Sequence, residues 1–178
     1  MDFYPFGTTP AEYPLFYAER LRAAGLDPAA SATWLLSNDE SKGFDVPGAH
    51  FLPMPPGYTL FRHGHPCYRF EVVIQGSLEL GDGRVAGVGD VFTAEPGELY
   101  GPHTAGPEGC TTIEFFSRQG AAYTLLYEGP DGETLEADVL AGELPPTYVP
   151  MPRDVAMLPG FQMPVAGSDR ADRSNADG

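Results

Sequence analysis

Short apolar or alternating segments, each closed off by glycine, proline or aspartate, fill the middle of this chain and constrain its fold most. Ala49–Met54, Tyr58–Phe61, Tyr68–Gln75, Ser77–Leu80, Asp90–Thr93, Thr111–Ser117, Ala121–Tyr127 and Thr134–Val139 read as strands. About eight strands at such short spacing predict an antiparallel sandwich or barrel. The 22 glycines and 19 prolines among 178 residues supply the turns. Gly81-Asp82-Gly83 marks a hairpin between Leu80 and Val85.

The flanks read differently. Residues 1–9 form an aromatic, Pro/Gly-rich arm, and Pro10–Ala24 is predicted as a helix that Thr9 caps and Gly25 stops. A second short helix is expected over Pro28–Leu36, with Trp34 buried, before a polar loop over 37–47. The expected organisation is therefore an arm with helices packed on the barrel (1–46), the barrel itself (47–140), a Pro-rich extended wrap (141–165) and a polar, disordered tail (166–178). A chain of 178 residues supports one such domain with a real core.

Charge narrows the partners. The formal net charge is −15 and Lys42 is the only lysine. A phosphate backbone or an anionic bilayer would be repelled, so neither nucleic acid nor membrane is expected. Cys67 and Cys110 are too few for a disulfide framework and read as free thiols in a reducing compartment. Residues 1–5 show no signal-peptide pattern and no run of ~18 apolar residues exists, so cytoplasm is the expectation.

Two of the four histidines, His63 and His65, flank Gly64. Residues two apart on a strand share a face. Two imidazoles on one face, with His103 brought from another strand, make a transition-metal site. In isolation the same pair reads first as two surface histidines on a polar strand.

Gly57, His63, His65 and Gly76 stand at the spacings of the first motif of the cupin superfamily, which this chain resembles over about residues 47–118. That motif is a glycine, five residues, His-x-His, three or four residues, glutamate, six residues and glycine. The second motif, a glycine, five residues, Pro-x-Gly, two residues and histidine, is recognisable from Gly89 to Gly97, with His103 later than the pattern asks. The resemblance implies an all-β, double-stranded antiparallel β-barrel (jelly roll), here with an N-terminal helical extension. It also implies a metal inside, with His63, His65 and His103 as ligands, and commonly a homodimer. Iron(II) is the favoured ion, and Mn, Ni, Cu or Zn suit the same ligands.

The motif's glutamate position is Arg69, and a guanidinium cannot ligate a metal. Three readings stay open: Glu71, on the same strand face, supplies the carboxylate; the site is three histidines alone; or the motif is a remnant without metal. Arg69 either clamps a substrate anion or is a structural arginine paired with Glu71 or Glu79. Tyr100 is a candidate acid/base or substrate-orienting group, or packing. His50 reads first as a lone core or surface histidine and otherwise as a base beside the site or an extra ligand, Cys67 reads as an inert buried thiol, and Glu114, alternating with Ile113 and Phe115 and sharing a face with Phe116, is a surface residue first and a barrel-interior acid otherwise.

The expected function is a metal-dependent enzyme on a small organic molecule, an Fe(II) dioxygenase first, with Tyr100, Arg69 and Glu71 as catalytic candidates. A non-oxidative cyclase, isomerase or lyase is the alternative enzyme. A non-catalytic ligand-binding barrel is the third reading.

Overall fold

The computed structural model describes residues 32–35 and 45–149, together with Ala23. Among the described residues, nine strands and two short helical turns follow one another: β1 Ala32–Leu35, β2 Gly48–Met54, β3 Thr59–Leu60, β4 Arg69–Glu79, β5 Val85–Ala86, β6 Val91–Ala94, β7 His103–Phe116, α1 Gln119–Ala122, β8 Thr124–Glu128, β9 Thr134–Asp138, and a 3₁₀ turn Val139–Ala141. All pairings are antiparallel. The antiparallel all-β class expected from the sequence is the one observed.

Two long strands make the frame. β4 and β7 pair along most of their length, and each is shared between two halves of the sheet. The first half runs β1-β2-β7-β4-β6, using the end of β7 and the start of β4. In the second half, β3 pairs the start of β7 and β5 pairs the end of β4. Register shifts at Val73/Gln75 and Gly76/Leu78 bend the shared strands between the halves. Gly76 sits at that bend with φ +70°, where a Cβ would lie 2.0 Å from the Gly109 carbonyl oxygen, so only glycine lets the strands approach.

Burial follows the bend. Met54, Val73, Leu78, Ala86, Ala105 and Cys110 form one buried cluster, with Leu52, Tyr58, Leu80 and Phe92 against it. Cys67, Phe116, Ala121 and Ala122 form a second. Both thiols are free and buried, and burial pushes Cys67 up and Cys110 up to about 12, consistent with inert packing.

The structure corrects four expectations. Residues 32–35 are a strand on the edge of β2, not part of a helix over 28–36. Thr33 and Trp34 are good strand formers, and the open ladder of β2 outweighs local helical pattern. The segments Tyr68–Gln75 and Ser77–Leu80 are one bent strand, because Gly76 bends the chain without breaking the ladder. The strand expected over Thr111–Ser117 begins at His103, running through Gly106, Pro107 and Gly109. Ala121–Tyr127 starts as the turn α1 before β8 begins at Thr124, since Ala121 and Ala122 fill the second cluster instead of joining a ladder. The hairpin at residues 81–83 is present: Leu80 N–H donates to Arg84 O at 2.9 Å, closing β4 onto β5. The helix expected over Pro10–Ala24 (Ala23 apart), the side chain of Trp34 and the tail over 166–178 lie outside the described residues.

Candidate functional site

The histidine pair is fixed by backbone on both sides. His63 and Tyr100 exchange N–H to carbonyl bonds at 3.1 and 2.8 Å, and Gly64 and Leu126 do so at 2.9 Å. Gly97 N–H adds a bond to His65 O at 2.9 Å. The stretch is so tightly held that a Cβ on Gly64 would lie 2.3 Å from Glu98 O. His63 and His65 are 4% and 5% exposed, their ring centroids 5.3 Å apart.

Their protonation pattern follows from their partners. His63 Nδ1 lies 2.7 Å from Phe61 O, and His65 Nδ1 lies 3.2 Å from Ala121 O and 3.1 Å from Thr124 O. A carbonyl only accepts, so each Nδ1 carries the proton and each Nε2 keeps the lone pair. Burial, the largest cause, holds both rings neutral: His63 falls to about 4, and His65 lies well below the ordinary imidazole value. The Arg69 charge lowers both further, and His63 also lowers His65. His103 is buried as well, lowered to about 3 by burial and then by Arg69 and His63. Its ring packs on Phe92, with centroids 5.5 Å apart, and on Tyr100, also at 5.5 Å.

Opposite the histidines, cross-strand register builds a polar row. His50 on β2 faces Glu114 on β7, which faces Glu71 on β4, which faces Phe92 on β6. The adjoining row is Gly48, Phe116, Arg69 and Ala94. Arg69, Glu71 and Glu114 are buried together. Arg69 donates from Nε to Glu114 Oε1 at 2.9 Å, and its Nη2 forms ion pairs with the same oxygen, 2.7 Å away, and with Glu71 Oε2. Its Cζ lies 4.3 Å from the Tyr100 ring centroid and 5.5 Å from that of Phe92. The guanidinium is thus enclosed by two carboxylates at its edge and two aromatic rings.

The expected residues take the following places. Arg69 pairs with Glu71, as one sequence reading had it, and with Glu114 in place of Glu79. Glu114 faces the interior, not solvent. The apolar face of Ile113 and Phe115 is the outer one, so the surface expectation for Glu114 gives way to its interior alternative. His50 is partly buried, accepts a bond at 2.7 Å from Gln119 Nε2, and is lowered first by burial. The helical start of α1 made Gln119 invisible as a site neighbour. Gly48 opens the space for its amide, since a Cβ there would lie 1.6 Å from Gln119 Oε1. Several buried oxygens have no hydrogen-bond partner among the described residues: both of Glu71, the Tyr100 hydroxyl and the Thr112 hydroxyl. Burial, the largest cause, pushes the Tyr100 phenol above its ordinary value.

The two long shared strands, with His63, His65 and Arg69 buried at the first-motif spacing, match the barrel expected from the sequence. The chain has a cupin fold. No family model and no curated protein matches the sequence. Solved structures give likenesses of fold. A complex of Rhodobacter sphaeroides SigE with the anti-sigma ChrR is 21% identical over 48% of this chain, TM-score 0.39, and this chain spans 44% of the matched one. A cupin-like protein of Thermotoga maritima is 22% identical over 48% of this chain and 67% of its own, TM-score 0.37. An RmlC-like cupin of Ralstonia eutropha is 17% identical over 64% of this chain and 69% of its own, TM-score 0.41.

A metal is what the fold implies, and the donor set tests it. Counted from Gly97, the histidine position of the second cupin motif falls on Tyr100, the residue bridged to His63. The carboxylate position is Arg69, and Glu71 is engaged by it. Among the described residues, no three His, Cys, Asp or Glu side chains stand as a metal-binding group. Two pinned imidazoles fit a transition metal, and the rest of the cupin site does not.

Proposed function

We propose that the cupin interior binds a small polar organic molecule, which His63 Nε2, His65 Nε2 and the Tyr100 hydroxyl hold by hydrogen bonds. The observation that carries this reading is unspent hydrogen-bonding capacity in a buried place. A buried polar group left without a partner costs about 1–3 kcal/mol. Tyr100 Oη is such a group, and the pinned tautomers leave two lone-pair nitrogens on the same wall. A molecule with two hydroxyl or amine donors would satisfy the imidazoles, and an acceptor on it would satisfy the phenol. Phe61, Phe92 and Phe116 lie against the three histidine rings and suit an aromatic or otherwise flat body. In this reading Arg69 and Glu71 shape the polar wall, and Tyr100 meets the bound molecule.

A second reading, favoured by the pinned Nδ1 atoms, places a divalent metal on His63, His65 and His103. It extends to the Fe(II) dioxygenase, or to a Zn, Mn or Ni enzyme that enolises a carbonyl. Such a metal would supply Lewis acidity and a template for paired oxygens. It requires His103 to turn from the Tyr100 stack toward the pair.

Catechol, with two adjacent hydroxyl donors on a flat ring, is a suitable probe. Added to the full chain, it is expected to shift the NMR signals of the His63, His65 and Tyr100 rings saturably. Tyr100→Phe should weaken it about tenfold, the loss of one hydrogen bond of about 1.4 kcal/mol. Absence of any shift, with no small molecule seen by native mass spectrometry of the purified chain, would sink the reading.

A further inference from the structure

Arg69 stands where a cupin carries its carboxylate ligand, and its surroundings are those of a bound cation. Glu71 and Glu114 both pair with it at their carboxylates. The ring centroids of Tyr100 and Phe92 lie 4.3 and 5.5 Å from its Cζ. Tyr100, at the second motif's histidine position, supplies a π face to the cation where an imidazole would have supplied a lone pair.

We propose that the Arg69 guanidinium takes the place of the metal ion in this cupin, so that His63 and His65 meet a bound molecule directly in a metal-independent site. The proposal rests on the small-molecule reading for its consequence and on the arginine cage for its substance. The cage is self-consistent in charge. Two carboxylates that could have drawn a metal are spent on a cation that cannot dissociate. A divalent ion brought to His63 and His65 would add positive charge to an interior that already holds a buried guanidinium, and such charges repel more strongly at low dielectric. The rings would have to act as neutral acceptors, the state in which their Nδ1 bonds hold them. The ligand class that follows is a molecule offering hydrogen-bond donors to the two Nε2 atoms. A chelating anion is disfavoured because the arginine's edge is already occupied.

Cobalt(II) alone, titrated into the full chain and read by visible absorption and calorimetry, tests this. The wild type is expected to show no saturable cobalt absorption. The double substitution Arg69→Glu with Tyr100→His restores the carboxylate and histidine at their motif positions. It is expected to take up one cobalt(II) per chain, and adding His63→Ala and His65→Ala should abolish the uptake. One cobalt(II) per chain in the wild type, removed by the same two alanine substitutions, overturns the proposal. So does a folded double variant, judged by circular dichroism, that gains no cobalt. If the double variant does not fold, the wild-type titration decides alone. Catechol binding repeated in EDTA separates the two readings. Binding that survives the chelator supports both, and binding lost to it overturns the arginine proposal while the small-molecule site stands. A wild type that binds neither cobalt nor catechol supports the arginine cage and removes the small-molecule reading.

Discussion

Where the start of β4 (69–72) pairs with the end of β7 (113–116), the two faces of the sheet carry opposite chemistry and the usual arrangement is inverted. Inside, Arg69 and Glu71 of β4 meet Phe116 and Glu114 of β7, all buried. Outside, Phe70 faces Phe115, ring centroids 5.6 Å apart, and they are 41% and 43% exposed. A charged interior between aromatic outer faces costs desolvation that must be repaid by pairing. A sheet that keeps three ionisable groups inside and two phenylalanines outside depends on that pairing for its stability. The comparison also shows which energies matter: inner groups are held by partners they cannot lose, outer ones by contacts that water partly replaces.

The largest break is expected inside. Arg69→Met leaves Glu71 and Glu114 buried without a cation, and removal of one partner of a buried pair costs about 3–5 kcal/mol. Urea unfolding should show that loss. The triple variant Arg69→Met, Glu71→Gln, Glu114→Gln should recover most of it, because no charge remains unpaired. A single-variant loss under about 1 kcal/mol, the range of exposed pairs, would show that the cage is solvated.

The inner face also predicts how stability depends on pH. His63 lies at about 4 and His103 at about 3 in the folded chain, against ~6.5 for an unfolded imidazole. Between those values the unfolded chain binds protons that the folded chain refuses, so falling pH favours unfolding. The histidines' contribution is intact above about 6.5 and is lost progressively as pH falls toward about 4 and then 3. Urea midpoints should drop steadily from pH 7 to pH 4.5, and His63→Gln should flatten part of that slope. A wild-type midpoint constant over this range would mean that the rings are solvated and not buried.

How much of this could be read from the sequence differs between the faces. Strand spacing, the Gly81–Gly83 hairpin and the His63–Gly64–His65 motif were legible because each is set within a few residues. The parity of Glu114 with Phe116, against Ile113 and Phe115, was legible too. Which parity faced inward was not, since hydrophobicity pointed to the wrong side. The partner of Arg69 depends on β4–β7 register over 45 residues of separation, and no local pattern encodes register. The helix expected over 28–36 failed for a related reason: a free sheet edge decided the conformation of residues 32–35. Tyr100 opposite His63 was hidden in the same way, being placed by a backbone bridge between distant segments.

The smallest effect belongs to the outer face, and it sharpens the comparison most directly. Phe70 and Phe115 are directly opposed, and their edge-to-face contact is worth about 0.5–1.5 kcal/mol beyond area burial. Each is partly solvated, so Phe70→Ser and Phe115→Ser should each cost less than Arg69→Met. Their double-mutant cycle in urea should give a coupling of about 1 kcal/mol or below. Catechol shifts at His63 and Tyr100 should survive both substitutions, because neither side chain points to the interior. If the outer pair instead costs as much as Arg69→Met, the outer face is covered in solution and is itself a core. If the outer substitutions abolish the catechol shifts, the two faces are coupled through the strands and cannot be treated as separate functions of one sheet.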